Sequence, residues 1–114
     1  MASIPLNTFR NKTLTPIPTS TTVVYQVPAG VTSIILMAQV ANVITNPAGV
    51  TFLYTNFSTG TVTTIVNDIS VPPNDSLLLL DGRLVLQTYD SISLYSDTVD
   101  ALHFIASILE TANQ

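Results

Sequence analysis

The side chains that could carry out acid–base or metal chemistry are few in this 114-residue chain. His103 is the only histidine, and there is no cysteine. His103 lies in an apolar, β-branched stretch, where a hydrogen-bonded or interface histidine is more common than a metal ligand. Catalysis needs titratable groups gathered at one place. The sequence therefore predicts that the chain is not an enzyme and holds no cofactor.

The carboxylates show no catalytic spacing either. Asp97 and Asp100 could join loop carbonyls in a Ca²⁺ site, but no EF-hand-like spacing accompanies them. Asp90 and Glu110 are too far apart in sequence to be assigned as a glycosidase pair, and neither a nucleophile elbow nor a phosphate-binding loop is present. The turn aspartates usually accept hydrogen bonds from local backbone N–H groups. They are Asp75, Asp81, Asp90, Asp97 and Asp100. We predict no metal site and no catalytic residues.

The charge on the chain is sparse and uneven. Only 9% of residues are charged and the net charge is −4, and two of the three cations, Arg10 and Lys12, lie near the N-terminus. Soluble monomers usually carry a more charged surface, so we predict that other protein covers part of this one. Nucleic acid is not an expected partner because no basic cluster is present. A membrane is not expected either, because the longest apolar run, 34–43, is too short to span one.

From Thr22 onward, short β-rich segments alternate with turn residues at a spacing typical of sandwiches and barrels. A continuous leucine run within 76–80 predicts a strand that is buried on both sides. The predicted fold is all-β: one two-sheet antiparallel β-sandwich of about eight strands, jelly-roll or immunoglobulin-like, with an extended N-terminal arm. The predicted strands are 22–27, 31–43, 50–57, 61–67, 76–80, 84–88, 91–96 and 101–109.

We assign residues 1–21 to the extended N-terminal arm and residues 22–114 to the β-sandwich domain. Prolines and threonines keep the arm extended, and its apolar and basic side chains are spaced as anchors for another subunit. A mobile terminus, or a first strand folded onto its own domain, is the alternative. The predicted partner-binding residues are Ile4, Leu6, Phe9, Arg10, Lys12, Leu14 and Ile17.

Several segments carry a resemblance to a known group of proteins. They are FRNKT at 9–13, VYQVPAGVT at 24–32, IILMAQVANV at 34–43, ISVPPNDS at 69–76, GRLVL at 82–86 and SILE at 107–110. Together they resemble small virion structural proteins of tailed bacteriophages, especially those that infect cyanobacteria. The likeness covers most of the chain and consists of turn and core patterns. It departs at Tyr89-Asp90, where such proteins often carry a Gly-Asp turn.

The resemblance implies a protein made in the host cytoplasm and present in many copies in the phage virion. Its most specific implication is a capsid decoration or cement protein that binds the major capsid protein or other virion subunits, as a homo-oligomer with a trimer favoured. A neck, tail or fibre protein of the virion remains an alternative. So does a carbohydrate-binding or host-binding sandwich, although the chain has no tryptophan and its tyrosines fall on separate predicted elements.

Overall fold

A computed structural model of the protein describes residues 7–112 and contains strands but no helix. Among these residues there is accordingly no helix of the length and hydrophobicity needed to cross a membrane. The strands are β1 (Asn7–Leu14), β2 (Thr22–Gln26), β3 (Val31–Asn42), β4 (Ala48–Thr55), β5 (Val62–Val71), β6 (Ser76–Leu78), β7 (Leu84–Leu86), β8 (Ser91–Ser96) and β9 (Leu102–Ala112).

The strands form two antiparallel sheets. The first has the order β1-β9-β3-β6, with β7 also paired to β3, and the second has the order β2-β8-β4-β5. Since β6 and β7 pair with different parts of β3, they act as two halves of one edge strand. The resulting two four-membered layers have the strand order of a jelly roll. The predicted two-sheet antiparallel sandwich is confirmed, and the strand order selects the jelly roll over the immunoglobulin arrangement.

The core lies between the sheets, and β9 shows most clearly how alternation along a strand builds it. In β9 the buried side chains are Leu102, Phe104, Ala106, Ile108 and Glu110, and the residues between them are more exposed. Side chains at every second position of a strand share one face, so the inner face of β9 is almost entirely apolar and packs into the core. Phe104 meets Phe52 of β4 with ring centroids 6.0 Å apart. This pair joins the two sheets at the centre of the sandwich.

The structure of the leucine run, residues 76–80, differs from the predicted one. Only 76–78 form a strand, in which Leu77 is half-buried and Leu78 is 66% exposed, whereas Leu79 is 5% exposed. The prediction of a strand buried on both sides is therefore wrong. Residues 7–112 form no layer that covers the outer sheet faces, so a leucine on the outer side of the alternation is exposed to solvent.

The N-terminal segment supplies a ninth strand. β1 pairs along its whole length with β9, from Asn7 opposite Thr111 to Leu14 opposite Phe104, and Ile17 just after it is fully buried. In this single chain, residues 7–14 of the predicted arm are thus an edge strand of the domain's own first sheet. Docking of residues 1–21 on another subunit stays a prediction.

Two adjacent leucines test the assignment of the core. Replacing Leu79 by alanine should lower the free energy of unfolding by roughly 2–5 kcal/mol, because it leaves a cavity between the sheets. The matched change Leu78→Ala, on the exposed side of the same edge, should cost less than about 0.5 kcal/mol. Urea unfolding of both variants measures the difference. Equal losses would mean that this edge is not packed as described.

Candidate functional site

The residues predicted to form the arm point in two directions. Residues directly opposite each other in an antiparallel pair share a sheet face, so Phe9, opposite Leu109, lies on the outer face and is 74% exposed. Leu14 is half-buried against the core, and Ile17 lies within it. Ile4 and Leu6 lie outside the described residues.

The two cations of the arm face inward. Arg10 is opposite Ile108, and Lys12 is opposite Ala106, and both of these partners are buried. The inner face of β1 therefore carries its charges toward the seam where the edge strands β1 and β2 of the two sheets meet. A cleft of about 320 Å³ opens there, lined by Arg10, Lys12, Val23, Val24, Tyr25, Gln26, Pro28 and Glu110.

Glu110 is the centre of this seam. Its Oε1 accepts a hydrogen bond from Arg10 Nε at 2.6 Å, and its Oε2 accepts one from the Tyr25 hydroxyl at 2.6 Å. The Tyr25 hydroxyl also lies 2.7 Å from Ser33 Oγ, and Lys12 Nζ stands 5.9 Å from the centre of the Tyr25 ring. The Glu110 side chain is only 8% exposed. One buried carboxylate thus ties β9 to β1 and β2, the edges of the two sheets.

The electrostatics of the seam keep Glu110 ionised. Burial alone would raise its pKa, but the hydrogen bonds from Tyr25 and Arg10, with the nearby positive charges, outweigh burial and hold the pKa below its ordinary value. Burial and the bond to Glu110 raise the pKa of Tyr25. An acid that stays ionised beside a phenol that stays neutral is poorly suited to proton transfer near neutrality. The arrangement is suited to fastening strands.

Sequence reasoning found Arg10 and Lys12 but missed Tyr25, Ser33 and Glu110. A signal for Glu110 was present, since it continues the buried row of β9 and so is a carboxylate at a position where the pattern predicts an apolar side chain. A buried carboxylate needs a partner. No local pattern could say which residue that partner is, because Arg10 lies 100 positions away in the chain.

A second feature is the outer face of the first sheet, which bears no Asp, Glu, Lys or Arg in the part of the chain that the structure describes. Across it, Phe9 of β1 lies opposite Leu109 of β9, Leu109 opposite Ile34 of β3, and Ile34 opposite Val85 of β7. We call these four residues the apolar row. Phe9 and Val85 are well exposed, and the two between them are half-buried. Such a continuous, uncharged apolar strip is typical of surfaces that contact other protein.

The turn aspartates follow the prediction of local backbone hydrogen bonds only in part, since Asp97 bonds to a residue 48 positions away. Asp75 Oδ1 accepts a hydrogen bond from Ser76 N at 2.8 Å. Asp97 accepts one from Gly49 N, which together with the Thr98 hydroxyl lowers the pKa of Asp97. His103 is half-buried and lies opposite Ala41. Within residues 7–112, no group of three or more His, Asp or Glu side chains is placed to hold a metal ion.

Asp90, just before β8, organises a second cluster of hydrogen bonds. It is buried and accepts hydrogen bonds from the Tyr54 hydroxyl and from the backbone N–H groups of Phe57 and Gln87. Burial raises its pKa, but these bonds more than compensate and lower it. Above it, the exposed rings of Phe57 and Tyr89 lie 5.1 Å apart at 57°.

The seam predicts a specific response to acid. Because the folded-state pKa of Glu110 is depressed, its contribution to stability is full above its ordinary value of about 4.5 and is lost as pH falls through the lower folded value. Glu110→Gln should lower the free energy of unfolding by roughly 1–3 kcal/mol at pH 7, and by less as the pH falls below 4.

Urea unfolding between pH 3 and 7 measures this difference. Asp81→Asn, at an exposed loop carboxylate, is the matched control and should change stability by less than about 0.5 kcal/mol throughout. A Glu110→Gln penalty that does not depend on pH would contradict an ionised Glu110 at the seam.

No protein-family profile matches the chain, and no curated protein matches it in sequence. Solved structures do share its architecture. One is a chain from Bacillus endospore appendages, which are described as a novel family of disulfide-linked pili. It aligns with a TM-score of 0.53 at 13% identity, over 100% of this chain and 98% of that one.

A second is a chain in the structure of infectious bursal disease virus, Gx strain. It aligns with a TM-score of 0.50 at 14% identity, over 94% of this chain but only 32% of the virus chain. At such identities the likeness shows a shared fold and does not transfer a function. This chain is similar in fold to one chain from a pilus and to about a third of another from a virus.

Proposed function

We propose that this protein is a non-enzymatic structural subunit that works by packing against other protein in a large assembly. The observation that carries the proposal is the uncharged outer face of the first sheet with its apolar row. Exposed apolar strips on rigid sheets lower their free energy when another protein covers them. Two solved structures of similar fold, described above, come from pili and from a virus, which is consistent with such a role.

More specifically, we propose a capsid decoration or cement protein of a phage virion. The sandwich would lie over a junction between major capsid subunits. Of the predicted arm, residues 1–21, the part up to Leu14 would reach a neighbouring subunit, because Ile17 is buried in the core of its own domain. This proposal rests on the resemblance of the six sequence segments described above. Repetition over many copies would turn modest contacts into stable attachment. A trimer is the proposed oligomer, because cyclic symmetry would cover the apolar row on each copy.

The coupling between copies is proposed to be non-covalent. This sequence contains no cysteine, so it cannot form disulfide links of the kind named for the endospore appendages. Apolar packing, strand pairing and ion pairs remain as the means of attachment. Each of them is reversible and sensitive to single substitutions.

Two valines of similar exposure provide a test of the sheet face. Val85 of the apolar row is 58% exposed, and Val62 on the edge strand β5 of the other sheet is 55% exposed. Val85→Lys should abolish attachment to phage particles that lack this chain and weaken self-association, because it places a charge in the apolar contact. Val62→Lys should retain both. Stability of either variant should change by less than about 0.5 kcal/mol.

Sedimentation velocity measures the association, and co-sedimentation with the particles measures the attachment. A wild-type protein that remains a monomer at every concentration and does not sediment with the particles would overturn the structural role. If that monomer instead bound glycans, the carbohydrate-binding alternative would replace it.

A further inference from the structure

We propose that β1 exchanges between copies of this protein, so that β1 of one copy pairs with β9 of another and its Arg10 binds Glu110 there. The inference rests on the proposed structural role and names its partner: a second copy of this chain. It makes the β1–β2 seam an intermolecular site as well as an internal one. The β9 edge with Glu110 is then the binding site, and β1 of the other copy is the segment that it binds.

The first support is how little apolar surface holds β1 in place. None of its eight residues is buried; five are exposed and three are half-buried. Its side-chain contacts are mainly polar, with Arg10 on Glu110, Asn11 on Ser107 and Asn7 on Thr111. Elements with few buried apolar contacts open more readily than the core. The edge strand β1 can therefore leave while the core stays intact.

The second support is that the partners of β1 all belong to the rest of the domain. Glu110, Ser107 and Thr111 lie on β9, and the ring that faces Lys12 belongs to Tyr25 of β2. A β1 strand supplied by a second copy would meet the same residues in the same register. Exchange of identical elements consequently preserves the contacts, which makes it a low-cost route to association.

The third support is the anchoring of the segment that follows β1. Ile17 is fully buried, and its N–H donates to the Leu102 carbonyl at 2.8 Å. The Pro18 carbonyl accepts a hydrogen bond from Ser96 N at 2.8 Å. These bonds hold the chain on the domain independently of β1. The hinge for exchange is therefore confined to Thr15 and Pro16, between the strand and the anchor.

The fourth support is what departure of β1 leaves behind. The eight-residue ladder on β9 would become an open sheet edge, which is a template for another strand. Glu110 would also lose the charge-assisted hydrogen bond that Arg10 donates at 2.6 Å. The strand that best satisfies both needs is β1 itself, with Arg10 in register. A second copy is the source that carries it.

A reversible lock tests the exchange. Because the chain has no cysteine, the double variant Asn11→Cys/Ser107→Cys has a single thiol pair, at positions directly opposite in the β1–β9 register and already in side-chain contact. Oxidised while dilute, it should form an intrachain disulfide that fixes β1 on its own β9. On concentration the oxidised protein should self-associate less than the reduced protein, because only contacts through the apolar row remain, and dithiothreitol should restore the lost association.

Mixing two single-cysteine variants tests directly whether β1 of one copy pairs with β9 of another. Copies with Asn11→Cys mixed with copies with Ser107→Cys should give a disulfide-linked heterodimer on a non-reducing gel. The matched control pairs Asn7→Cys with Ser107→Cys. Asn7 lies opposite Thr111, four residues or about 13 Å along the strand, beyond the roughly 7 Å that a disulfide can bridge. This control should lose the band.

The outcomes separate the exchange from the structural role. Equal association of the oxidised and reduced double variant, or no heterodimer above the off-register control, would overturn the exchange while leaving the structural role standing. A double variant that stays reduced under oxidant would mean that β1 does not pair with β9 in this register, and it too would overturn the exchange. A wild-type protein that never associates or attaches to particles would instead overturn the structural role.

Discussion

The edge of this sandwich depends on a buried carboxylate that must have partners. Glu110 lies on the inner face of β9, where the other buried side chains are all apolar. An unpaired charge at that position would cost several kcal/mol. Arg10 and Tyr25 satisfy it, and they come from the edge strands of different sheets. The pairing of β1, the closure of the seam and the orientation of the two N-terminal cations all follow from that requirement.

The two-layer architecture accounts for the sparse and uneven charge. Each sheet can bury one face only, so alternation leaves a second face outside. In the first sheet that face holds the apolar row instead of charges. The inner face of β1 carries the cations Arg10 and Lys12. On β1 the two cations thus lie on the inner side while Phe9 lies exposed on the outer side, which is why we propose other protein, not solvent, as the environment of Phe9.

Much of the fold could be predicted from local patterns. The alternation of β9 and the turn ending at Gly30, whose φ of 71° suits glycine, are signals that a single strand and a single turn carry by themselves. β1 was harder, because an edge strand held by backbone bonds needs no apolar alternation. The leucine run gave a wrong prediction of burial, because its leucines lie on both the inner and the outer side of the sheet. The Arg10–Glu110 pair required the topology of the whole jelly roll.

In the proposed exchange, β1 can leave its own β9 and pair with β9 of another copy, where its Arg10 binds Glu110. A cryo-electron microscopy structure of the assembled form tests it most directly, since it follows the chain from β1 through Thr15 and Pro16 into β2. We predict continuous density that crosses from one subunit to the β9 edge of the next, with Arg10 against the neighbour's carboxylate. Density that returns β1 to its own β9 in every subunit would contradict the account.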